Sequence, residues 1–202
     1  MADPTRRDLA GWSLALTAAA SSAVKASDTR PQPYVWRNVK VGAGGFIPGI
    51  VFSAVERGLA YARSDMGGAY RFDAAAGRWE PLMDDSPRSG DFGVESIAAD
   101  PVDPDVVHAA VGVSRNDPGA MLRSNDRGRT WSRVEVPFHM GGNEDGRGLG
   151  ERLAVDPNDN RILYFGSRHD GLQRSTDGGA SWSKVDSFPL PGLGLPTGRE
   201  TH

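Results

Sequence analysis

The chain has 202 residues, with 26 glycines, 14 prolines, no cysteine and a formal net charge of −3. This charge excludes nucleic acid as the expected partner, because no excess of basic residues is available to neutralise phosphates. The lack of cysteine excludes disulfides and thiolate metal sites, and the glycine and proline content is typical of many short strands joined by tight turns.

The first 33 residues have the layout of an export signal followed by a linker. Arg6 and Arg7 form a twin-arginine-like opening, an alanine-rich apolar run covers 12–24, and small residues surround Ala26. A charged start, a short apolar centre and small residues in this order predict secretion. An extension without export function is the alternative interpretation. The run is too short and too polar to span a bilayer, so we expect no membrane span.

A repeated pattern organises residues 34–188. The box Ser-x-Asp-x-Gly-x-x-Trp occurs twice, at 124–131 and 175–182, and tryptophans recur at about the same spacing: Trp36, Trp79, Trp131 and Trp182. Each of the last three tryptophans follows short apolar runs that predict three further strands. Four-stranded units of about 50 residues are typical of β-propeller blades. The sequence therefore predicts an all-β fold with three such blades.

Residues 34–39 resemble only the last strand of a blade, with no partner strands before them. Such a strand is needed when the N-terminus completes the final blade of a ring. We therefore predict an incomplete β-propeller, made of one N-terminal outer strand and three blades, followed by an irregular tail at 189–202. Because a ring needs at least about four blades, the chain is either a fragment of a longer protein or assembles with its own copies. We favour the fragment.

Strand direction divides the predicted loops between two faces. In each blade, with strands A to D, the A–B and C–D turns share one face, and the B–C and D–A connections share the face that commonly binds ligands. Asp126 and Asp177 fall in C–D turns, where a short acidic side chain stabilises the turn. The segment 156–160 has a partial calcium-loop spacing without the required glycine and glutamate, so we expect neither metal nor cofactor. Asp65 falls in a B–C connection and is the predicted functional residue; an ordinary turn aspartate is the alternative.

Residues 34–53 and 61–71 closely resemble the start of glycoside hydrolase family 74. The segments 93–104 and 147–159 and both boxes continue the resemblance, which covers 34–188. Members of that family are xyloglucan-cleaving endo-β-1,4-glucanases and reducing-end-specific relatives, built from two seven-bladed propellers that face one another across a substrate cleft. The resemblance implies that the chain is an N-terminal part of such an enzyme and that its partner is xyloglucan, a plant cell-wall polysaccharide.

The resemblance also implies an inverting mechanism with two aspartates. Asp65 lies in the segment 63–70, which matches the motif of the family's general base. The family's general acid comes from the second propeller, which this chain cannot supply, so we expect the chain alone to be inactive. Arg147 and Glu151 on the same predicted face are candidate substrate-binding residues, and salt-bridged loop residues are the alternative interpretation.

Two other classes of protein share the boxes. A non-catalytic binding propeller of the sortilin or assembly-factor kind is the alternative function. A sialidase is disfavoured because we cannot assemble its three arginines and tyrosine nucleophile on the ligand face.

The loop before Gly93 differs from the pattern of glycoside hydrolase family 74. It lacks the tryptophans that the family usually carries there, which weakens the case for sugar stacking at this loop.

Overall fold

A computed structural model of the chain describes residues 44–116 and 119–188. The predicted export signal, the isolated strand at 34–39 and the tail at 189–202 lie outside these residues. The described part contains twelve strands and one short 3₁₀ helix, Ser89–Phe92. The strands are β1 Gly49–Phe52, β2 Ala60–Arg63, β3 Ala69–Asp73, β4 Arg78–Pro81, β5 Val94–Ala99, β6 Val107–Val111, β7 Ala120–Ser124, β8 Ser132–Glu135, β9 Leu153–Val155, β10 Leu163–Ser167, β11 Gly171–Ser175 and β12 Ser183–Lys184. In this part of the chain, no helix has the length and apolar character of a membrane span.

The twelve strands form three four-stranded sheets, in the orders β1-β2-β3-β4, β5-β6-β7-β8 and β9-β10-β11-β12. Every neighbouring pair is antiparallel and consecutive in sequence, so each sheet is a simple meander. We call these sheets blades one, two and three. The prediction of an all-β fold with four-stranded, blade-like units is confirmed.

The middle blade is covered on both faces, because successive side chains of a strand point to opposite sides. All five residues of β6 are buried, whereas β10 in blade three alternates between buried and half-buried positions. Ile97 of β5 packs towards blade one, and the adjacent Ala98 packs towards blade three. The hydrophobic core therefore lies in the two crevices between blades.

Each crevice has its own apolar cluster. Tyr61 and Val107 belong to the cluster between blades one and two. Phe138 and Phe165 belong to the cluster between blades two and three, with ring centroids 5.5 Å apart. Aromatic pairs at this separation add to the free energy gained from burial, by about 0.5–1.5 kcal/mol. The crevices thus fix neighbouring blades against one another and set where their connecting loops emerge.

The two boxes form matching turns between the third and fourth strands of their blades. The Asp126 carboxylate accepts hydrogen bonds from the Ser124 hydroxyl at 2.7 Å and from the Thr130 amide and hydroxyl at 2.8 and 2.6 Å. Asp177 makes the equivalent bonds within its own turn, including one from the Ser181 hydroxyl at 2.6 Å. The side-chain hydrogen bonds from Thr130 and Ser181 lower the pKa of each carboxylate to about 2. These aspartates hold their turns together.

Candidate active site

Three connections meet at the end of the blades opposite the boxes. They are the segment 44–48 before β1, the β2–β3 connection at 64–68, and the segment 141–151 before β9. Hydrogen bonds join the β2–β3 connection to each of the other two segments. We call this group the Asp65 cluster.

Asp65 is at the centre of the cluster and is 5% exposed. Its Oδ1 accepts a hydrogen bond from the Phe46 amide at 2.9 Å, and its Oδ2 accepts one from Arg147 Nε at 3.0 Å. The Asp65 amide donates to the Phe46 carbonyl at 3.1 Å. Because an ionised carboxylate offers about four lone-pair sites, each oxygen keeps acceptor capacity for water or substrate.

The backbone around Asp65 requires a glycine at Gly45. Its φ is +97°, and a Cβ there would lie 2.6 Å from Ser64 Oγ and 2.7 Å from Asp65 Oδ1. Ser64 Oγ in turn donates to the Gly44 carbonyl at 3.2 Å and accepts from the Gly67 amide at 3.0 Å. The absence of a side chain at Gly45 therefore allows the backbone of residues 44 and 45 to lie close to the 64–67 turn.

Arg147, a predicted substrate-binding residue, contacts Asp65 directly. Besides its bond to Oδ2, its Nη1 donates to the Glu144 carbonyl at 3.2 Å. Its guanidinium carbon lies 5.7 Å from the centroid of the Phe46 ring, within cation–π distance. The side chain keeps 31% of its surface exposed. Arg147 thus covers one side of the Asp65 carboxylate while remaining accessible from solvent.

Glu151, the other predicted substrate-binding residue, is bound on both carboxylate oxygens by protein groups. Oε1 pairs with Arg63 Nε at 2.6 Å. Oε2 accepts from the Ser96 hydroxyl at 2.6 Å and from the Ile97 amide at 2.8 Å. A Cβ on Gly49 would collide with Oε1, so the pair requires glycine there. Glu151 therefore links blades one and two through the segment that precedes β9.

Arg63 is a component of the site that the sequence did not single out. It is the last residue of β2, is completely buried, and lies two positions before Asp65. Its Nη2 donates to the carbonyls of Arg147 and Gly150, each at 3.1 Å. The sequence offers two signals: Arg63 directly follows the apolar positions of β2, and it begins the segment 63–70 that contains Asp65. Its partner Glu151 lies 88 residues away and could not be assigned from spacing.

Apolar side chains surround the cluster on the solvent side. Phe46 is 55% exposed, Met66 60% and Leu149 71%. A polar pair lies on the same face, where His139 Nδ1 is 3.0 Å from Asp170 Oδ2. His139 comes just before the segment 141–151, and Asp170 lies in the β10–β11 connection. Burial raises the pKa of Asp170, but hydrogen bonds from the His139 amide and ring and from the Ser167 hydroxyl outweigh it, so the pKa is below its usual value. This face offers both apolar surface and hydrogen-bonding groups.

The chemistry available at the cluster is that of a fixed carboxylate. Asp65 is held by two N–H donors and can accept a proton from a bound water. The nearby carboxylates of Glu95 and Glu151 each bind arginine side chains and a backbone amide. Within 44–116 and 119–188, no group of three or more potential ligands could hold a metal ion.

Comparison with known proteins finds close relatives among xyloglucanases. The chain is 54% identical over 187 residues to xyloglucanase Xgh74A of Acetivibrio thermocellus, and the alignment covers 89% of this chain and 22% of that protein. It is 51% identical over 197 residues to a xyloglucanase of a Paenibacillus species, covering 91% of this chain and 19% of the relative. The chain thus spans about a fifth of the length of the curated relatives that it matches.

A solved structure has the same fold. The GH74 xyloglucanase of Xanthomonas campestris superposes with a TM-score of 0.70 at 51% identity, over 78% of this chain and 23% of that one. A comparison with protein-family models finds no match. Sequence and structure therefore agree on one group of enzymes as the relatives of this chain.

Proposed function

We propose, because the chain belongs to glycoside hydrolase family 74, that it forms part of an inverting glycoside hydrolase that acts on xyloglucan, with Asp65 as the general base. The observation that carries this proposal is the Asp65 carboxylate, held by Phe46 N–H and Arg147 Nε in a connection beside exposed apolar side chains. The relatives are xyloglucanases, which indicates the substrate class.

The proposed reaction divides its chemistry between two carboxyl groups. Asp65 accepts a proton from a water molecule as that water attacks the anomeric carbon. A carboxylic acid about 6.5–9.5 Å away protonates the leaving oxygen, and the configuration at the anomeric carbon inverts. We propose that this acid comes from a part of the enzyme that these 202 residues do not include. The chain alone then lacks appreciable activity.

The surface around Asp65 suits a polysaccharide. Sugar rings present apolar C–H faces, which would pack on Phe46, Met66 and Leu149, while their hydroxyls need donors and acceptors such as those of His139 and Asp170. A polymer of this kind is met outside the cell. We therefore propose that the protein is secreted, in agreement with the twin-arginine-like opening of the sequence.

A chimera tests the proposal. Residues 44–188 of this chain would replace the aligned segment of Acetivibrio thermocellus Xgh74A, and release of reducing ends from xyloglucan would be measured. We expect the chimera to hydrolyse xyloglucan. Asp65→Asn should lower kcat by about 10²–10⁴-fold, the usual contribution of a general base. Asp126→Asn in the box turn is the matched control and should leave kcat of the folded enzyme unchanged.

The alternative, a non-catalytic binding propeller, predicts different results. A folded chimera that binds xyloglucan without cleaving it, or one whose turnover survives Asp65→Asn, would support the binding module and refute the assignment of Asp65. Robust turnover by the purified 202-residue chain would refute the proposal that the acid is supplied from elsewhere.

A further inference from the structure

We infer that Arg147 is a positioning residue that orients the Asp65 carboxylate, and that the buried Arg63–Glu151 pair holds Arg147 in place. The inference rests on the proposed role of Asp65 as general base. It gives Arg147 and Glu151 roles other than direct contact with sugar.

The first step concerns the orientation of Asp65. The terminal torsion of an aspartate side chain is broad, so a carboxylate held at one oxygen can rotate. Phe46 N–H fixes Oδ1, and Arg147 Nε fixes Oδ2. The two bonds together fix the plane of the carboxylate and the direction of its free lone pairs. Removal of the Arg147 bond leaves one anchor.

The second step concerns the segment that carries Arg147. Arg63 donates to the carbonyls of Arg147 and Gly150, so one guanidinium holds this loop at two points. Arg63 and Asp65 belong to the same short stretch of blade one. The backbone of the loop and the Arg147 side chain are therefore both held by residues two positions apart, which fixes the distance that the Arg147 side chain must span.

The third step concerns the charge on Arg63. A completely buried guanidinium needs a counter-charge, and Glu151 provides it at 2.6 Å. Glu151 is itself anchored to blade two by Ser96 and Ile97. Ser96 Oγ also accepts hydrogen bonds from the amides of Arg152 and Leu153 at 2.9 and 3.0 Å. The pair thus ties the loop to both neighbouring blades.

These contacts use groups of both side chains within the protein. Glu151 uses both carboxylate oxygens within the protein. Arg147 uses Nε for Asp65 and Nη1 for a backbone carbonyl. A sugar-binding role predicts that substitutions raise KM, whereas a positioning role predicts that they lower kcat.

The first experiment separates these two roles in the chimera. Arg147→Met keeps an unbranched aliphatic side chain but removes the guanidinium, and should lower kcat by about 10–100-fold, with KM changed by less than about threefold. Arg147→Lys, which keeps the charge, should recover part of the loss. Arg71→Met is the matched control, because Arg71 forms a half-buried pair with Glu80 in the same blade, and its kcat should not change.

The second experiment tests the connection to Glu151 by a double-mutant cycle. Glu151→Gln alone should lower kcat by a smaller factor than Arg147→Met. The double variant should lose little more than Arg147→Met alone, because both act through one contact. Where Glu151→Gln lowers the yield of folded protein, Ser96→Ala removes one anchor of Glu151 and keeps the Arg63–Glu151 pair, and thermal melting confirms the fold.

The outcomes distinguish failure of the inference from failure of the proposed function. A rise in KM alone, an unchanged or increased kcat in Arg147→Met, or losses that simply multiply in the double variant would overturn the inference. If Asp65→Asn retains turnover, the proposed function itself fails. In an Asp65→Asn background, Arg147→Met should cause no further loss of kcat.

Discussion

The buried histidine of blade two makes the stability of the chain depend on pH. His108 is the second residue of β6, is 3% exposed, and lines a cavity of about 220 Å³ between blades two and three, together with Arg123 and Trp182. Burial, with a smaller contribution from the charge of Arg123, lowers the pKa of His108 to about 4, although Asp100 acts in the opposite direction. The imidazole is therefore neutral in the folded chain at neutral pH.

The sign and size of the effect follow from proton linkage. Between about pH 4 and pH 6.5 the unfolded chain binds more protons at this site than the folded chain, so the free energy of unfolding rises with pH. The contribution of neutral His108 to the free energy of unfolding is complete above about pH 6.5. It is lost progressively as the pH falls to about 4. For pKa values of about 4 folded and 6.5 unfolded, the loss on going from about pH 7 to about pH 5 is roughly 2 kcal/mol.

Urea denaturation of the 202-residue chain, followed by tryptophan fluorescence at about pH 7 and about pH 5, measures this loss. His108→Leu removes the titrating group and also the ring nitrogen Nε2, which is buried without a hydrogen-bond partner. We expect the wild type to lose about 2 kcal/mol more than His108→Leu over this pH range. Met121→Leu, in the same cavity lining, should keep the wild-type pH dependence. Parallel pH curves for wild type and His108→Leu would refute the reasoning.

Two further predictions concern the turns. Ser124→Ala removes the hydroxyl that bonds Asp126 and the Gly128 amide, and should lower the free energy of unfolding by about 1–2 kcal/mol in urea denaturation. Gly45→Ala places a Cβ against Asp65 at a φ of +97°. It should lower the free energy of unfolding by more than about 1 kcal/mol and should also lower kcat of the chimera. Gly44→Ala, where a Cβ has no neighbour within 4 Å, is the matched control for both measurements.

The repeats predicted the blades and the position of Asp65 because both follow from local pattern. Strand and turn residues alternate with a constant order in each unit, and the direction of successive antiparallel strands then assigns every connection to a face. This reasoning placed Asp65 and the segment 141–151 on the same face, and the structure joins them through Arg147.

The partners of the charged residues could not be predicted in the same way. Arg63 and Glu151 are separated by 88 residues, and Arg147 and Asp65 by 82. Neither separation equals the spacing of the repeats, because the pairs depend on the path of an irregular loop rather than on the strands. The burial of His108 was also missed, because one histidine in the apolar run 106–111 carries no signal of the crevice between two blades.

The loop that reaches Asp65 is held from its other side by a second carboxylate. The pairing of β5 with β6 shifts between Val94 and Ser96, and bulges of this kind redirect a side chain out of the regular ladder. Glu95, at that shift, accepts hydrogen bonds from Arg168 Nε at 2.9 Å and from the Gly141 amide at 2.7 Å, and it forms an ion pair with Arg152 Nε at 2.8 Å. Gly141 begins the loop, and Arg152 follows its end.

We therefore expect the orientation of Asp65 to depend on all three blades, because Arg168 of blade three also pairs with Glu95. Glu95 of blade two holds the start of the loop and the residue that follows it, and Glu151 at its end pairs with Arg63 of blade one. A motif that contains only the segment around Asp65 lacks these anchors. We therefore expect that a chimera in which only residues 44–93 are exchanged keeps its activity only if the recipient protein supplies residues equivalent to Glu95 and Glu151. Exchange of residues 44–188 instead transfers the complete set of contacts.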